Sequence, residues 1–276
     1  MKLATIRTSG GTRAVRVDDD GLTDLGFADV GALLAAEDWR SLAASATGPA
    51  HPVDQAGHAP VVPRPGKVLC VGLNYRNHIL EMGRDLPEHP TLFAKFAEAL
   101  IGANDDIDLA PESDAVDWEA ELAVVVGGTV RRADERQAAD AIAGFTVMND
   151  VTMRDWQFRT KEWLQGKTFE ATTPLGPVVV TPDELPGGVR PALELSASVN
   201  GEEVQKAGTS DLVFDPVALV RYASTVMTLR PGDVIATGTP GGVGHARRPA
   251  RYLTDGATLV TEIEGIGRLE NVARRS

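Results

Sequence analysis

Residues 116–128 read VDWEAELAVVVGG: Glu119 and Glu121, two apart, stand just before an apolar run closed by Gly127 and Gly128. The run predicts a β-strand. Alternate side chains on a strand share a face, so Glu119 and Glu121 point the same way, with Ala123 and Val125 following on that face. Taken alone, Glu-x-Glu is most often a solvated strand edge. Continuity with an apolar face argues against that here, because a core-facing carboxylate pair is costly unless a cation compensates it.

Six further apolar runs bounded by Gly, Pro, Asp and Asn resemble this one: KVLCVGL, GFTVMND, LGPVVVTP, LELSASVNGE, GDVIATGT and ATLVTEIEGIG. Seven such runs predict a strand-rich α+β core. Asn200-Gly201 between two of the strand segments signals a type I′ hairpin. Three helices are expected among the strands. One is ADERQAADAIAG, ending at Gly144; a second begins after Asp150 and runs through RDWQFRTKEWLQ to Gly166; the third has Asp215 as N-cap and Pro216 at its first position. Residues 1–60 read as a small N-terminal α/β region, with strand pieces LATIR and AVRVD and the helical stretch VGALLAAEDWRSLAA. A Pro- and Gly-rich linker over residues 48–67 leads into a second unit, residues 61–276.

The chain has 276 residues, enough for a substantial core, and 43% hydrophobic with 24% charged residues is ordinary for a globular protein. No run approaches the roughly 20 apolar residues of a membrane span, and MKLATIRTSGG has no signal-peptide character. Cys70, the single cysteine, lies in an apolar run and reads as a buried structural thiol. These features point to the cytoplasm. A net charge of −12 disfavours nucleic acid and anionic membranes as partners. An anionic substrate would need a local reversal of field, which a divalent cation supplies.

Asp150 ends the run GFTVMND, as a helix N-cap, as a third carboxylate beside Glu119 and Glu121, or as both, since strand ends are where sites are built. Three carboxylates without His or Cys suit Mg²⁺ or Mn²⁺ better than zinc. Arg154 and Gln157 fall three apart on the expected helix and share a face. Lys167 follows a helix-terminating glycine. His78 and Glu81, three apart on a short helix, can pair so that the carboxylate orients the imidazole. His51, His58, His89 and His245 form no ligand pattern. Thr237, Gly238 and Thr239 offer backbone N–H groups and hydroxyls after the strand GDVIA, for a carboxylate or simply for a tight turn. GTPGGVG lacks the Gly-Lys-Ser/Thr of a nucleotide loop.

VGLNYRNHILEMG, FAKFAEALIG, VDWEAELAVVVG, GFTVMNDVTMRDWQ, GKTFEATTPLGP and GDVIATGTPGGVG, in this order over roughly residues 66–270, resemble the fumarylacetoacetate hydrolase family. The resemblance implies a mixed β-sandwich roll, assembled as a homodimer. It implies Mg²⁺ or Mn²⁺ on Glu119, Glu121 and Asp150, and His78 with Glu81 as a water-activating dyad on a lid. Lys167 is implied as an oxyanion stabiliser, and Tyr75, Lys95, Arg154, Gln157, Gly238 and Thr239 as substrate contacts. The implied reaction is hydrolysis of a C–C bond in a 2,4-dioxo acid through a metal-stabilised enolate. Decarboxylation, isomerisation or elimination on a related 2-oxo acid such as oxaloacetate is the enzymatic alternative, and a non-catalytic binding module the other. Thr168 departs from the serine of the family's GKSF. Arg76 and Arg84 are candidates to meet an acidic substrate tail.

Overall fold

The computed structural model describes residues 1–19, 21–51 and 57–275. At its centre lies the strand Ala120–Val126, buried along its whole length. It is flanked antiparallel by Ile142–Asn149 and Val234–Ala236. Past Ile142–Asn149 the sheet continues through Thr173–Val180, Lys2–Thr8, Gly11–Asp18, Gly21–Asp24 and Ala50–His51; past Val234–Ala236 it continues through Val68–Gly72 and Thr91–Lys95. Val234–Ala236 and Val68–Gly72 pair in parallel, so the sheet is mixed.

A second sheet runs in the order Glu202–Gly208, Glu194–Val199, Thr258–Ile263, Gly267–Arg274 and Ile107–Asp108. Between the two sheets Leu122, Val124, Phe145, Val147 and Val180 meet Leu195, Ala197, Val199, Leu259 and Leu269. On the other face of the large sheet, Ala123, Val125, Ala143 and Met148 belong to one cluster with Cys70, Val234 and Ala236. Val30, Leu33, Leu34 and Trp39 complete it, contributed by the helices Val30–Leu34 and Trp39–Ser45. The run LAVVV lacks alternation because both of its faces are covered. Each such side chain taken fully from water contributes roughly 1.5–3 kcal/mol.

All seven apolar runs form strands, and the fold is the strand-rich α+β architecture expected. Asn200 and Gly201 both have positive φ, 53° and 81°, as a type I′ turn requires. Asp215 caps the helix Pro216–Val226, accepting from the Ala218 amide at 2.9 Å.

Two helices differ from expectation. The helix after Asp134 closes at Asp140, and Gly144 lies within the strand Ile142–Asn149. A Cβ there would run into the Val180 carbonyl, so this glycine marks the close approach of two strands and not a helix stop. The expected helix from Asp150 to Gly166 is two short ones, Arg154–Gln157 and Leu164–Lys167. Asp150 caps neither: Met153 is the N-cap of the first, and the Asp150 carboxylate is occupied by lysines. The Ala-rich N-terminal stretch is likewise two helices. Residues 52–56 of the linker lie outside the described residues. Lys2–Thr8 pairs directly with Thr173–Val180, so the N-terminal strands extend the large sheet.

Candidate active site

Register brings the acids together. Glu121 pairs with Met148, and Asp150 follows Met148 by two residues and shares its face. The Asp150 amide donates to the Glu119 carbonyl at 2.8 Å, setting the two residues side by side. One carboxylate oxygen from each of Glu119, Glu121 and Asp150 lies within 4.8 Å of the others, and all three residues are buried. The solvated-edge reading of Glu119 and Glu121 is thereby excluded.

Three cations stand against these acids. Lys167 Nζ lies 2.6 Å from Glu119 Oε2 and 2.7 Å from Asp150 Oδ2. Lys95 Nζ donates to Asp150 Oδ1 at 2.7 Å and to the Val151 carbonyl at 3.0 Å. Arg154 donates through Nε to Asp117 Oδ2 at 2.8 Å and through Nη1 to Gln157 Oε1 at 2.9 Å. Its Nη2 lies 2.7 Å from Glu119 Oε1 but off the line of a hydrogen bond. Four buried carboxylates thus face three buried cations. The odd one out is Glu121, 1% exposed, whose one donor among the described residues is the Gly238 amide at 2.7 Å. Among the described residues, no lysine or arginine forms an ion pair with it.

Burial, and then the charges of Asp150 and Glu119, push the Glu121 carboxyl well above its ordinary range. Burial alone would raise Asp150 too, but Lys167 and Lys95 hold it below the usual value. Desolvation works against the Lys167 ammonium, yet Asp150 and Glu119 outweigh it and keep Lys167 charged. A buried, uncompensated carboxylate within reach of two others is the arrangement a divalent cation completes. The all-oxygen donor set fits a hard ion such as Mg²⁺ or Mn²⁺.

A cavity of about 380 Å³ opens over these groups. Glu119, Glu121, Arg154, Gln157, Lys167 and Thr239 line its polar part; Val71, Leu73, Met82, Phe93, Phe158, Trp163, Val243 and Ala246 form apolar wall. His78, Arg84 and His245 also reach it, while Arg76 does not line it. His78 lies on the helix Arg76–Glu81, and a Cβ on Gly241 would sit 3.1 Å from its Nδ1 and 3.7 Å from Glu81 Oε2. The two side chains therefore share the space above Gly241, although no hydrogen bond joins them. Burial lowers the His78 pKa; Glu81 and Glu119 oppose that in part.

Other expected positions fall outside the cavity. Tyr75 is 1% exposed, its hydroxyl has no hydrogen-bond partner among the described residues, and it does not line the cavity. Lys95 lies behind Asp150, away from the cavity lining. Gly238 turns its amide to Glu121, and its φ of 102° together with Asn74 Cβ and the Val71 carbonyl, each 3.0 Å from a would-be Cβ, requires glycine. Thr239 does line the cavity, its hydroxyl donating to the Ala120 carbonyl at 3.0 Å.

Sequence reasoning missed Asp117, Gln205 and His245. Gln205, from the second sheet, accepts from the Ala120 amide at 2.9 Å and donates to Thr239 Oγ1 at 2.9 Å and the Pro240 carbonyl at 3.1 Å. It thereby ties the Gly-rich loop to the residue between the two glutamates. Asp117 continues the two-residue spacing of Glu119 and Glu121 backward, a signal present in the motif itself.

The family model for the fumarylacetoacetate hydrolase C-terminal domain matches residues 67–274. The mitochondrial oxaloacetate tautomerase of Rattus norvegicus is 43% identical over 84% of this chain and 73% of its own length. A fumarylacetoacetate hydrolase of Exiguobacterium antarcticum superposes over the whole of both chains with a TM-score of 0.89 at 31% identity. A 5-carboxymethyl-2-hydroxymuconate delta-isomerase of Mycobacterium smegmatis gives a TM-score of 0.81 at 35% identity, over 100% of this chain and 99% of that one. Among the described residues no helix is long and apolar enough to cross a membrane.

Proposed function

This chain belongs to the fumarylacetoacetate hydrolase family, and we propose that its pocket interconverts the keto and enol forms of a 2-oxo dicarboxylic acid such as oxaloacetate. Glu119, Glu121 and Asp150 would hold Mg²⁺ or Mn²⁺. Bound there, the cation supplies Lewis acidity toward the 2-oxo group and its neighbouring carboxylate. Arg154, which lines the cavity beside Glu119, donates from Nη2 to a substrate carboxylate. The Lys167 ammonium, fixed between Glu119 and Asp150, offsets negative charge as it develops on the 2-oxo oxygen. His78 takes the proton from C3 and delivers it to the 2-oxo oxygen, or in the reverse direction takes the enol hydroxyl proton and delivers it to C3, and Phe93 and Trp163 wall the site.

The observation that carries this reading is His78. It is a pocket-lining imidazole kept neutral by burial, beside the three-carboxylate cluster and without a hydrogen bond to Glu81. Moving one proton between carbon and oxygen needs one neutral base and no oriented water. The tautomerase relative supports the same assignment.

A second reading, hydrolysis of a C–C bond in a 2,4-dioxo acid, is favoured by the nearness of Glu81 to His78 above Gly241, which would complete a water-activating pair. The test is to follow oxaloacetate enol–keto conversion and acetylpyruvate cleavage in parallel, by absorbance and by NMR of the products, with added Mg²⁺ and with EDTA. Tautomerase activity predicts metal-dependent enol–keto conversion above the buffer rate and C3 deuterium exchange, without acetate. Acetate and pyruvate from acetylpyruvate, with the oxaloacetate rate equal to buffer, would replace the first reading by the second.

A further inference from the structure

We propose that Asp117 is a positioning residue of the pocket, one carboxylate that orients Arg154 toward the substrate and fastens the Gly244–His245 turn to it. The inference rests on the reading above, that a 2-oxo acid occupies the cavity. Asp117 is fully buried, and both of its oxygens accept twice. Oδ1 takes the Trp118 amide at 2.8 Å and the Gly244 amide at 2.7 Å. Oδ2 takes the His245 amide at 2.9 Å and Arg154 Nε at 2.8 Å.

A carboxylate has about four lone-pair directions, and here all are engaged by donors. No neutral side chain of this size accepts four donors: the amide of an asparagine would turn its NH₂ against Arg154 Nε–H or against backbone N–H groups. The consequence reaches both sides of the cavity. With Nε fixed on Asp117 and Nη1 on Gln157, the planar guanidinium has one orientation, and Nη2 lies at the cavity 2.7 Å from Glu119 Oε1. With its amide fixed on Asp117, His245 holds its ring against Phe158 and its Nδ1 within 2.9 Å of the Tyr252 hydroxyl, forming the outer wall. Asp117 touches neither the cavity nor the three clustered acids, so it acts through Arg154 and the turn.

Oxalate, whose two carboxylates mimic the carboxylate and enolate end of a 2-oxo acid, serves as the probe. It is titrated calorimetrically into Mn²⁺-loaded wild type, Asp117→Asn, Arg154→Gln and the double variant, with Mn²⁺ affinity measured separately. Asp117→Asn should weaken oxalate binding about tenfold or more while changing Mn²⁺ affinity less than about threefold. In the Arg154→Gln background the same change should cost less than about twofold, because the group it positions is gone. Multiplying effects, or Mn²⁺ affinity falling in step with oxalate affinity, would show a general structural role and overturn the proposal. Wild-type protein that binds Mn²⁺ but no oxalate would instead refute the 2-oxo-acid reading, and this inference with it. If Asp117→Asn does not fold, Asp117→Glu, which keeps the charge but moves it by one methylene, is titrated in its place; oxalate affinity equal to wild type would then refute the positioning role.

Discussion

Replacing Glu121 by Gln should stabilise the metal-free protein at neutral pH while abolishing its response to metal. Glu121 is 1% exposed, its carboxylate lies within 4.8 Å of those of Glu119 and Asp150, and it has no ion-pair partner among the described residues. At that separation and an effective dielectric constant of about 20, each like-charge pair costs roughly 3–4 kcal/mol. Taking up a proton is cheaper. Between the ordinary value of 4.5 and pH 7, linkage limits the cost to about 3 kcal/mol, at about 1.4 kcal/mol per pH unit. The native state keeps a proton that the unfolded chain releases above pH 4.5, so this contribution lowers stability as pH rises from there. The glutamine variant carries no such proton and can still accept from the Gly238 amide. Its advantage should be near zero at pH 4.5 and grow with pH to at most about 3 kcal/mol at pH 7, or at most about 6–12 °C in Tm for a chain of this size. Calorimetric melting in EDTA measures it. With Mn²⁺ at a thousandfold excess over Kd the wild type should gain about 4 kcal/mol and the variant almost nothing. A metal-free variant that melts below wild type at pH 7, or whose advantage does not shrink toward pH 4.5, would refute the reasoning.

Turnover should need neutral His78; since burial holds its pKa below 6.5 in the free protein, the acid limb of the kcat/KM profile should lie below pH 6.5, and His78→Ala should lose about 10²–10⁴-fold in kcat with Mn²⁺ affinity retained. Gly144→Ala should destabilise the fold by about 1–3 kcal/mol in urea denaturation, because its methyl group meets the Val180 carbonyl. Asp215→Ala should cost about 1 kcal/mol in the same assay by removing the cap of Pro216–Val226, without changing Kd for Mn²⁺.

Where one local rule decided a segment, the sequence was a sound guide. Asn200-Gly201 could turn in few other ways, Asp215-Pro216 begins a helix by capping and fixed φ, and LAVVV has no polar side to show to water. The acid cluster was readable because alternation put Glu119 and Glu121 on one face. What failed depended on neighbours remote in the chain. Gly144 looks like a helix stop until Val180 is known to lie against it. Asp150 looks like a cap until Lys95 and Lys167, 55 and 17 residues away, claim its oxygens. Asp117 and Gln205 escaped notice, and His245 was set aside, because their importance lies in partners 127, 85 and 128 residues distant.

The pairing of Lys2–Thr8 with Thr173–Val180 bears on how the chain can be cut. Trimming the first strand would strip Val178, Val179 and Val180 of their partners Ala4, Leu3 and Lys2 and lay bare an apolar strand edge. Unpaired ladders of that kind recruit other chains. A shortened form that kept every acid and lysine of the pocket would therefore be expected to clump before it could be assayed, and its silence would say nothing about the chemistry.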